Sequence, residues 1–320
     1  KTLLAIDVYY SFNLLIKQGF SFYREVDYHQ GMWNLNYDSP KEIERVLNER
    51  GLAMSKKFGQ NFLISPEGRK RLIDLMELES GMKVWEIGPG LGAITHMLIQ
   101  KKVNLTSFEI DHGFASLLTE VAFNDEENFT LIEGDALKTL FKKRLLPLPD
   151  RIVGNLPYNV GSVMIGKLIE NSYLPPLMVF TLQREVVDRM TSKPGEDDYS
   201  SFSVLTQIDY ENKLSLKLPK GCFWPQPNVE SAVVVMKKRE TPLVAEELRP
   251  IFIPLIRDLF QQRRKTVRNN LNSSEYGNMG KEKVEEIISC AGLSGSERAE
   301  ALSWEDLVRL AESAKRIKAI

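Results

Sequence analysis

A short segment, residues 154–160, combines three groups that could bind a planar base. Its sequence, Gly-Asn-Leu-Pro-Tyr-Asn-Val, follows directly on the strand-like run 151–153. Asn155 offers a side-chain oxygen and Leu156 offers a backbone carbonyl, and the following Pro157 has no backbone N–H. Tyr158 supplies a ring on which a base can stack. The alternative interpretation is a proline-stiffened turn with no ligand.

These groups suit the exocyclic amino group of adenine. Its nitrogen is a poor nucleophile because the lone pair is delocalised into the ring, so a methylating enzyme must hold it in a near-tetrahedral geometry. Asn155 Oδ1 and the Leu156 carbonyl can accept the two amino protons while Tyr158 stacks on the base. A sulfonium is already an activated methyl donor, so the transfer needs orientation more than a general base.

A glycine-rich turn is expected to bind the methyl donor. The sequence Glu86-Ile-Gly-Pro-Gly-Leu-Gly places Gly88, Gly90 and Gly92 at alternate positions after an apolar run. Such glycines allow positive φ and let a ligand lie against bare backbone. The spacing is tighter than that of the dinucleotide-binding fingerprint and is typical of S-adenosylmethionine enzymes. A glycine-rich turn without a ligand is the alternative.

Two further acidic residues follow predicted strands. Glu109 lies about 20 residues after Gly88, a distance at which a carboxylate can accept both ribose hydroxyls. Asp135, in Gly-Asp-Ala, could accept from an adenine amino group. Taken alone, Glu109 would more often be a solvated strand end. Together, the strand ends predict three different contacts to one nucleoside.

The elements that position these residues alternate between apolar runs and amphipathic helices. The first five of seven strand candidates are separated by helical stretches, which predicts a parallel sheet, and the last two are joined by a loop, which predicts an antiparallel pair. The fold class is therefore α/β, a Rossmann-like seven-stranded methyltransferase sheet with a small C-terminal helical domain. The predicted strands are Lys-Val-Trp-Glu-Ile (83–87), 105–109, 129–132, 151–154, 177–182, 213–218 and 231–238.

Composition excludes several other classes of protein. The chain has 320 residues, 43% hydrophobic and 27% charged, which is enough for a full core. Two cysteines and three histidines are too few and too scattered for a disulfide framework or a metal cluster, so we expect no metal. The cysteine use fits a reducing compartment, and we expect a cytoplasmic protein without a membrane anchor.

We divide the chain into three parts. Residues 1–38 are an N-terminal extension of unknown role, because their apolar stretch is interrupted by polar residues and resembles neither a signal peptide nor a membrane span. Residues 39–240 form the methyltransferase domain. Residues 241–320 form a helical domain that we expect to bind RNA.

The C-terminal helical pattern suggests a phosphate-binding face. Residues 253–271, drawn as one continuous helix, place Ile256, Phe260, Val267 and Leu271 on an apolar stripe. Arg257, Arg264 and Arg268 then share a neighbouring face, where they could contact RNA phosphates. Arg263 falls inside the stripe, so we expect it to lie where this helix meets the large domain, bonded to a carboxylate or strand-end carbonyls, and to fix the angle between the domains. A solvated basic face is the alternative.

Several motifs together resemble one known family. The chain resembles the KsgA-type ribosomal RNA adenine dimethyltransferase family from about residue 40 to the C-terminus. The matching segments are KKFGQNFLIS (56–65), EIGPGLG (86–92), FEID (108–111), GDA (134–136), NLPYN (155–159), LQREVVDRM (182–190), FWPQPNVESAVV (223–234) and QRRKTVRNNL (262–271).

The resemblance implies specific roles. It implies dimethylation of two adjacent adenosines near the 3′ end of small-subunit (16S) ribosomal RNA, in a pre-30S particle and by a monomer. It also implies that Phe223 stacks against the target adenine, although Phe223 or Trp224 could instead only fill the core. The residues implied to contact S-adenosylmethionine are Asn61, Leu63, Gly88, Gly90, Glu109, Asp135 and Asn155.

The sequence departs from the family at two places. Asn-Val-Gly-Ser replaces the usual continuation after NLPY, and His112 stands where a basic residue is common. Both could alter how the target base enters.

Two alternative functions stay open: a large-subunit ribosomal RNA methyltransferase of the macrolide-resistance type, and a non-catalytic assembly or transcription factor on the same fold. The intact glycines and acidic residues argue against the second.

Overall fold

The computed structural model of the chain describes residues 33–54, 60–142 and 147–318. The predicted extension lies outside the described residues up to position 32, and so do positions 56–59 of the first family motif. The elements below belong to the unit Leu35–Ile320. No helix in the described ranges is long and apolar enough to cross a membrane.

A seven-stranded sheet forms the centre of this unit, as predicted. The strands run in the order β4-β3-β2-β5-β6-β9-β7, with β9 antiparallel to both of its neighbours and the other pairs parallel. A separate antiparallel pair, β1 with β8, was not predicted. The strands are β1 (Phe62–Leu63), β2 (Lys83–Ile87), β3 (Asn104–Glu109), β4 (Phe129–Glu133), β5 (Arg151–Asn155), β6 (Leu177–Gln183), β7 (Tyr210–Leu218), β8 (Phe223–Trp224) and β9 (Ser231–Lys238).

Helices cover both faces of the sheet. Alternate residues of β2 show why: Val84 belongs to the core on one face, and Trp85 and Ile87 belong to the core on the other. Burial on both faces is typical of parallel sheets. The helices of this part are α1 (Pro40–Glu49), α2 (Pro66–Asp74), α3 (Ala93–Gln100), α4 (His112–Leu117), α5 (Ala136–Lys142), α6 (Gly161–Glu170), α7 (Arg184–Thr191) and α8 (Ser201–Gln207).

The strand order locates the cleft. The chain moves outward from β2 to β3 and β4, then returns to place β5 on the other side of β2. Ligands bind beyond the carboxyl ends of the strands where the order reverses, here between β2 and β5. The glycine turn 88–92 follows β2, and Asn155 is the last residue of β5.

The C-terminal helices build a third hydrophobic core. They are α9 (Arg249–Leu259), α10 (Val267–Asn272), α11 (Lys281–Cys290) and α12 (Trp304–Lys318). Tyr199, Val204 and Ile208, which precede β7, also belong to this core. The small helical region therefore packs directly on the edge of the sheet domain that carries α8.

The single helix expected over residues 253–271 is wrong. Helix α9 ends at Leu259, and α10 begins after Thr266, whose side chain accepts from the Asn269 N–H at 3.3 Å. Asn270 stabilises the break because its buried amide donates to the carbonyls of Leu259 and Gln262, at 2.8 and 3.3 Å. The four stripe residues are nevertheless all buried, but in two helices and the turn between them.

Candidate active site

One cavity at the carboxyl edge of the sheet is lined by all the residues that were expected to contact the methyl donor or the target base. The described structure thus brings together side chains from strand ends that are far apart in sequence. They are Asn61, Leu63, Gly88, Gly90, Glu109, Asp135, Asn155, Leu156, Pro157, Tyr158 and Phe223.

The glycine turn adopts a backbone that other residues would strain. Gly88, Gly90 and Gly92 have φ of 72°, 56° and 87°. A Cβ on Gly90 would lie 3.1 Å from the Phe62 ring, so this part of the turn approaches another cavity wall closely. Gly92 then starts helix α3. The turn therefore presents bare backbone to the cavity beside a helix N-terminus.

Glu109 is buried but keeps acceptor capacity. Its Oε2 accepts from the Gly90 N–H at 3.0 Å and its Oε1 accepts from the Asp111 N–H at 2.9 Å. A carboxylate oxygen has two lone pairs, so each still has one available for a hydroxyl donor. Burial raises the pKa of Glu109 above its ordinary value. The geometry fits a group that holds two neighbouring hydroxyls.

Glu86 lies behind the glycine turn in the core of the sheet. Its Oε2 accepts from the hydroxyls of Thr95 and Ser107 at 2.7 and 2.8 Å, whereas its Oε1 has no hydrogen-bond partner in the described part of the chain. Burial, with a smaller contribution from the charge of Glu109, raises the pKa of Glu86 to about 7. Sequence reasoning used Glu86 only as part of the glycine-turn pattern. It did not predict that Glu86 and Glu109 lie close enough for the charge of one to affect the pKa of the other.

Asp135 is held at the start of α5. Its Oδ1 accepts from the Leu137 N–H at 3.0 Å, and Lys138 Nζ lies 4.0 Å from its Oδ2. The side chain is about one-third exposed. Oδ2 is therefore the oxygen that can accept from a ligand's amino group at the mouth of the cavity.

The orientation of the Asn155 amide is set by the protein. Its Nδ2 donates to the Asn61 carbonyl at 2.7 Å. Because the nitrogen is used in this way, Oδ1 is the end available to a ligand, and no described residue donates to it. Asn61 and Asn155 thereby join the segment before β1 to the end of β5.

The backbone after Asn155 leaves a second acceptor. The Leu156 N–H donates to the Thr181 carbonyl of β6 at 3.2 Å, and the Pro157 carbonyl accepts from the N–H groups of Val160 and Gly161 at the start of α6. Within the described residues, the Leu156 carbonyl accepts no hydrogen bond. Two acceptors, the Asn155 Oδ1 and the Leu156 carbonyl, thus remain side by side at the end of one strand.

Two aromatic residues complete the cavity wall. Tyr158 is half-buried, and its hydroxyl lies 2.5 Å from Ser231 Oγ. Phe223 is 1% exposed and pairs with Leu63 across β1 and β8. Next to this pair, the rings of Phe62 and Trp224 stack with centroids 6.4 Å apart. The small sheet therefore connects the predicted donor-binding segment to the predicted base-binding ring.

Sequence reasoning missed several apolar lining residues. Ile110, which directly follows Glu109, lines the cavity and is 44% exposed. Phe62 and Pro89 also line it, as does Tyr37, which lies within the predicted extension. Neither Ile110 nor Tyr37 carried a signal in the sequence, because the exposure of Ile110 between two acidic residues is visible only in the structure.

The four arginines singled out in the sequence of the C-terminal region lie away from the cavity. Arg257 pairs with Glu170 of α6, and Arg268 pairs with Glu285 and donates to the Ser294 carbonyl at 2.7 Å. Arg264 is exposed and has no hydrogen-bond or ion-pair partner in the described ranges. The arginines do not share one helical face.

Arg263 shows one expectation confirmed and one wrong. It pairs with the Glu300 carboxylate and donates to the Asp197 carbonyl of the large domain, so the expected carboxylate partner and the contact with that domain are confirmed, although Glu300 belongs to the C-terminal region and Asp197 lies in a turn rather than at a strand end. Its side chain is 52% exposed, so its expected place in a dry apolar stripe is wrong. The reason is the break between α9 and α10, which puts Arg263 in a surface turn.

Comparison with known sequences gives one consistent answer. The family model described as "Ribosomal RNA adenine dimethylase" matches residues 51–316. "Ribosomal RNA small subunit methyltransferase A" of Treponema denticola is 43% identical over 284 residues, which cover 87% of this chain and 95% of that protein. The proteins of the same name from Treponema pallidum strain Nichols and Bacillus pumilus are 40% and 37% identical, over 88% and 87% of this chain and 98% and 97% of theirs.

Solved structures share the fold. A dimethyladenosine transferase from Plasmodium falciparum superposes with a TM-score of 0.66 and 21% identity, over 79% of this chain and 97% of that chain. The 23S rRNA methyltransferase ErmE superposes with a TM-score of 0.60 and 24% identity, over 79% of this chain and 99% of that chain. Both confirm the Rossmann-like methyltransferase fold.

Proposed function

Because the chain belongs to the ribosomal RNA adenine dimethylase family, we propose that it methylates the N6 amino groups of two adjacent adenosines near the 3′ end of small-subunit ribosomal RNA. The enzyme is an S-adenosylmethionine-dependent adenine dimethyltransferase that acts on small-subunit RNA. The large-subunit alternative is not favoured, since the curated relatives at 37–43% identity are all named as small-subunit enzymes.

The observation that carries the proposal is the pair of adjacent acceptors in the cavity. Asn155 Oδ1 and the Leu156 carbonyl are free of protein donors in the described structure, and the bond from Asn155 to Asn61 fixes the amide orientation. We propose that they accept the two N6 protons of adenine. Held in this way, the nitrogen presents its lone pair to the methyl donor, and the surplus N6 proton leaves to water, so orientation replaces a general base.

The residues around the glycine turn fit the methyl donor. S-adenosylmethionine supplies an activated methyl group on its sulfonium when it is bound. We propose that Glu109 accepts from the ribose hydroxyls of the donor and that Asp135 accepts from its adenine amino group. We also propose that the bare backbone of Gly88 and Gly90 contacts the rest of the donor. Asn61 and Leu63 close the same wall. The lone pairs that Glu109 keeps free and the partly exposed side chain of Asp135, whose Oδ1 alone is used by the backbone, support these roles.

Two aromatic residues are assigned to the target base. We propose that Tyr158 and Phe223 face adenine once it has left its stack, since base stacking on aromatic rings stabilises such complexes by about 1–3 kcal/mol per base. The half-buried Tyr158 ring lies in the same cavity wall as the two acceptors, which supports this assignment.

We make the remaining assignments from the family and the packing. Residues 39–240 are proposed as the catalytic domain and 241–320 as the RNA-binding domain, whose helices build a core that Tyr199, Val204 and Ile208 of the first domain complete. The proposed substrate is RNA within a pre-30S particle, and the proposed enzyme is a cytoplasmic monomer. Sedimentation of the protein alone tests whether it is a monomer. Sedimentation of the protein with the particle tests whether it binds the pre-30S particle.

Mass spectrometry of both ribosomal RNAs tests the activity. Particles that lack the modification are incubated with the full chain and isotope-labelled S-adenosylmethionine. We expect N6,N6-dimethyladenosine at two adjacent positions in small-subunit RNA and none in large-subunit RNA. Asn155→Ala is expected to bind RNA normally and to lose methyl transfer, because its acceptor organises the transition state. Labelled large-subunit RNA, or transfer by Asn155→Ala within a few-fold of wild type, would contradict the proposal.

A further inference from the structure

Ser231 is a buried polar residue at the start of an otherwise apolar strand segment. It is fully buried, and the residues that follow it in β9 are Ala-Val-Val-Val-Met. A position of this kind favours a β-branched apolar side chain. A buried hydroxyl costs stability unless it is hydrogen-bonded, so the partner of this serine is informative.

The partner is the ring proposed to face the target base. The hydroxyls of Ser231 and Tyr158 lie 2.5 Å apart, although the two residues are 73 positions apart in the sequence. Elsewhere in the described ranges Ser231 Oγ has no hydrogen bond. Tyr158 belongs to the turn 156–160 between β5 and α6, and its half-buried ring has two rotatable bonds. The hydroxyl lies on the long axis of the ring, so a hydrogen bond there fixes the direction of that axis and with it the position of the ring.

The anchor is much more rigid than the residue that it holds. In the sheet register, Ser231 pairs with Gln183 of β6 on one side and with Leu218 of β7 on the other. It therefore lies at the carboxyl edge of the sheet, between two hydrogen-bonded neighbours. Burial also raises the pKa of the Tyr158 phenol, so the ring keeps its proton for this bond at neutral pH.

We propose that Ser231 is a positioning residue for methyl transfer, because its hydroxyl holds the Tyr158 ring in the place where it faces the target adenine. The inference rests on the proposed function, in which Tyr158 stacks on that base. Ser231 itself does not line the cavity. It acts through Tyr158, so its loss is expected to change the rate of methyl transfer.

Two substitutions remove the same hydrogen bond from opposite ends. Ser231→Ala deletes the anchor, and Tyr158→Phe deletes the phenol hydroxyl while keeping the ring. Each is expected to lower the single-turnover rate of methyl transfer roughly tenfold, the equivalent of one hydrogen bond. The double variant is expected to be no slower than either single variant, because both remove one interaction.

Binding measurements and a matched control separate positioning from general damage. S-adenosylmethionine affinity, measured by calorimetry, is expected to be unchanged in both variants. Ser203→Ala serves as the control because Ser203 is equally buried and its hydroxyl bonds the Arg189 carbonyl at 2.5 Å, away from the cavity. This control is expected to lower the melting temperature and leave the transfer rate unchanged.

The outcomes distinguish the inference from the function on which it rests. If Tyr158→Ala is impaired but Tyr158→Phe and Ser231→Ala transfer at the wild-type rate, the positioning role is overturned and the stacking role survives. If Tyr158→Ala also transfers normally, the stacking role itself fails. Additive losses in the double variant would likewise overturn the inference. Should Ser231→Ala not fold, Tyr158→Phe alone decides, because it removes the bond without changing β9.

Discussion

At the scale of single residues, the site depends on polar side chains that the protein only partly satisfies. Glu109, Asp135 and Asn155 each use some of their hydrogen-bonding capacity on the backbone and keep the rest for a ligand. The bonds to the backbone fix each side chain before a ligand arrives. This preorganisation lowers the entropic cost of binding.

Glu109 provides the most direct test of donor binding. Glu109→Ala is expected to weaken S-adenosylmethionine binding by about 1–3 kcal/mol, the usual scale for hydrogen bonds to a charged group. Calorimetry of the folded variant measures the loss. Glu133→Ala is the matched control, because Glu133 ends the neighbouring strand β4 but is exposed and does not line the cavity. Equal affinities for wild type and Glu109→Ala would show that Glu109 does not hydrogen-bond to S-adenosylmethionine.

Glu86 predicts a specific dependence of stability on pH. Its pKa is about 7 in the folded chain and 4.5 ordinarily. Between these values the unfolded chain has released its proton while the folded chain keeps it, so stability falls as pH rises. The contribution is fully present below about pH 4.5 and is lost above about pH 7, a change on the order of 3 kcal/mol.

Chemical denaturation at pH 5 and pH 8 measures this effect. Glu86→Gln keeps an oxygen for Thr95 and Ser107 but cannot ionise, so its free energy of unfolding is expected to fall less than that of wild type over the same interval. The difference between the two proteins isolates Glu86 from the other titrating groups. Parallel behaviour of wild type and variant would show that Glu86 does not titrate in this range.

At the scale of elements, the glycine turn sets the geometry of the cavity. Gly88 and Gly92 both have positive φ, but their surroundings differ. A Cβ on Gly88 would meet nothing within 4 Å, whereas one on Gly92 would lie 2.8 Å from the Phe123 ring and 2.9 Å from Leu118. Both neighbours are buried, so neither can move away easily.

The two positions are therefore expected to respond differently to alanine. Gly88→Ala should cost roughly 1–2 kcal/mol from the left-handed backbone alone. Gly92→Ala adds overpacking of about 1–3 kcal/mol to a similar backbone cost. Urea denaturation compares the two free energies of unfolding, with wild type as reference. Equal losses would mean that helix α3 shifts to make room.

The sequence predicted the large elements well because their patterns are strong. The five parallel strands are apolar or β-branched segments that alternate with helical stretches, and all seven predicted strands of the main sheet are present. The pair of β1 and β8 was not predictable, since two residues per strand contain no periodicity. The break after Leu259 was also missed, because a helical wheel assumes continuity and the capping role of Thr266 was not considered.

The candidate site was predictable for a different reason. Strand ends of a parallel sheet meet at one edge, so residues that follow predicted strands had to converge there. The contacts that orient them were not predictable, because they join distant segments. Asn61 with Asn155 and Ser231 with Tyr158 are examples, and each requires the three-dimensional register of the sheet.

At the scale of the whole molecule, charged residues join the sheet domain to the C-terminal helices. Arg249 pairs with Asp209, whose side chain is 3% exposed, and Arg257 pairs with Glu170. Arg263 reaches the Asp197 carbonyl. The arginines in these contacts are therefore bonded to protein groups, although their charge alone would also suit contacts with RNA. With a net charge of −1, the chain has no general attraction for RNA, so local basic groups must supply it.

Among Arg257, Arg264 and Arg268, Arg264 is the best placed for phosphate. It is exposed, and within the described residues it has no partner, whereas Arg257 and Arg268 are engaged with carboxylates. A paired guanidinium must give up its partner before it binds phosphate, which offsets much of the gain. We therefore expect the three positions to differ in how they affect RNA binding.

The dependence of RNA binding on salt measures this difference. Each phosphate contact that releases counterions adds about 0.7–0.9 to the slope of log affinity against log salt concentration. Arg264→Ala is expected to weaken RNA binding and to reduce that slope by about 0.7–0.9, the contribution of one phosphate contact. Its melting temperature is expected to change little. Arg257→Ala is the control: it is expected to leave the slope nearly unchanged, because its partner is Glu170. If both variants reduce the slope equally, the ion pair with Glu170 opens on the RNA, and if neither does, phosphate is bound elsewhere on the molecule.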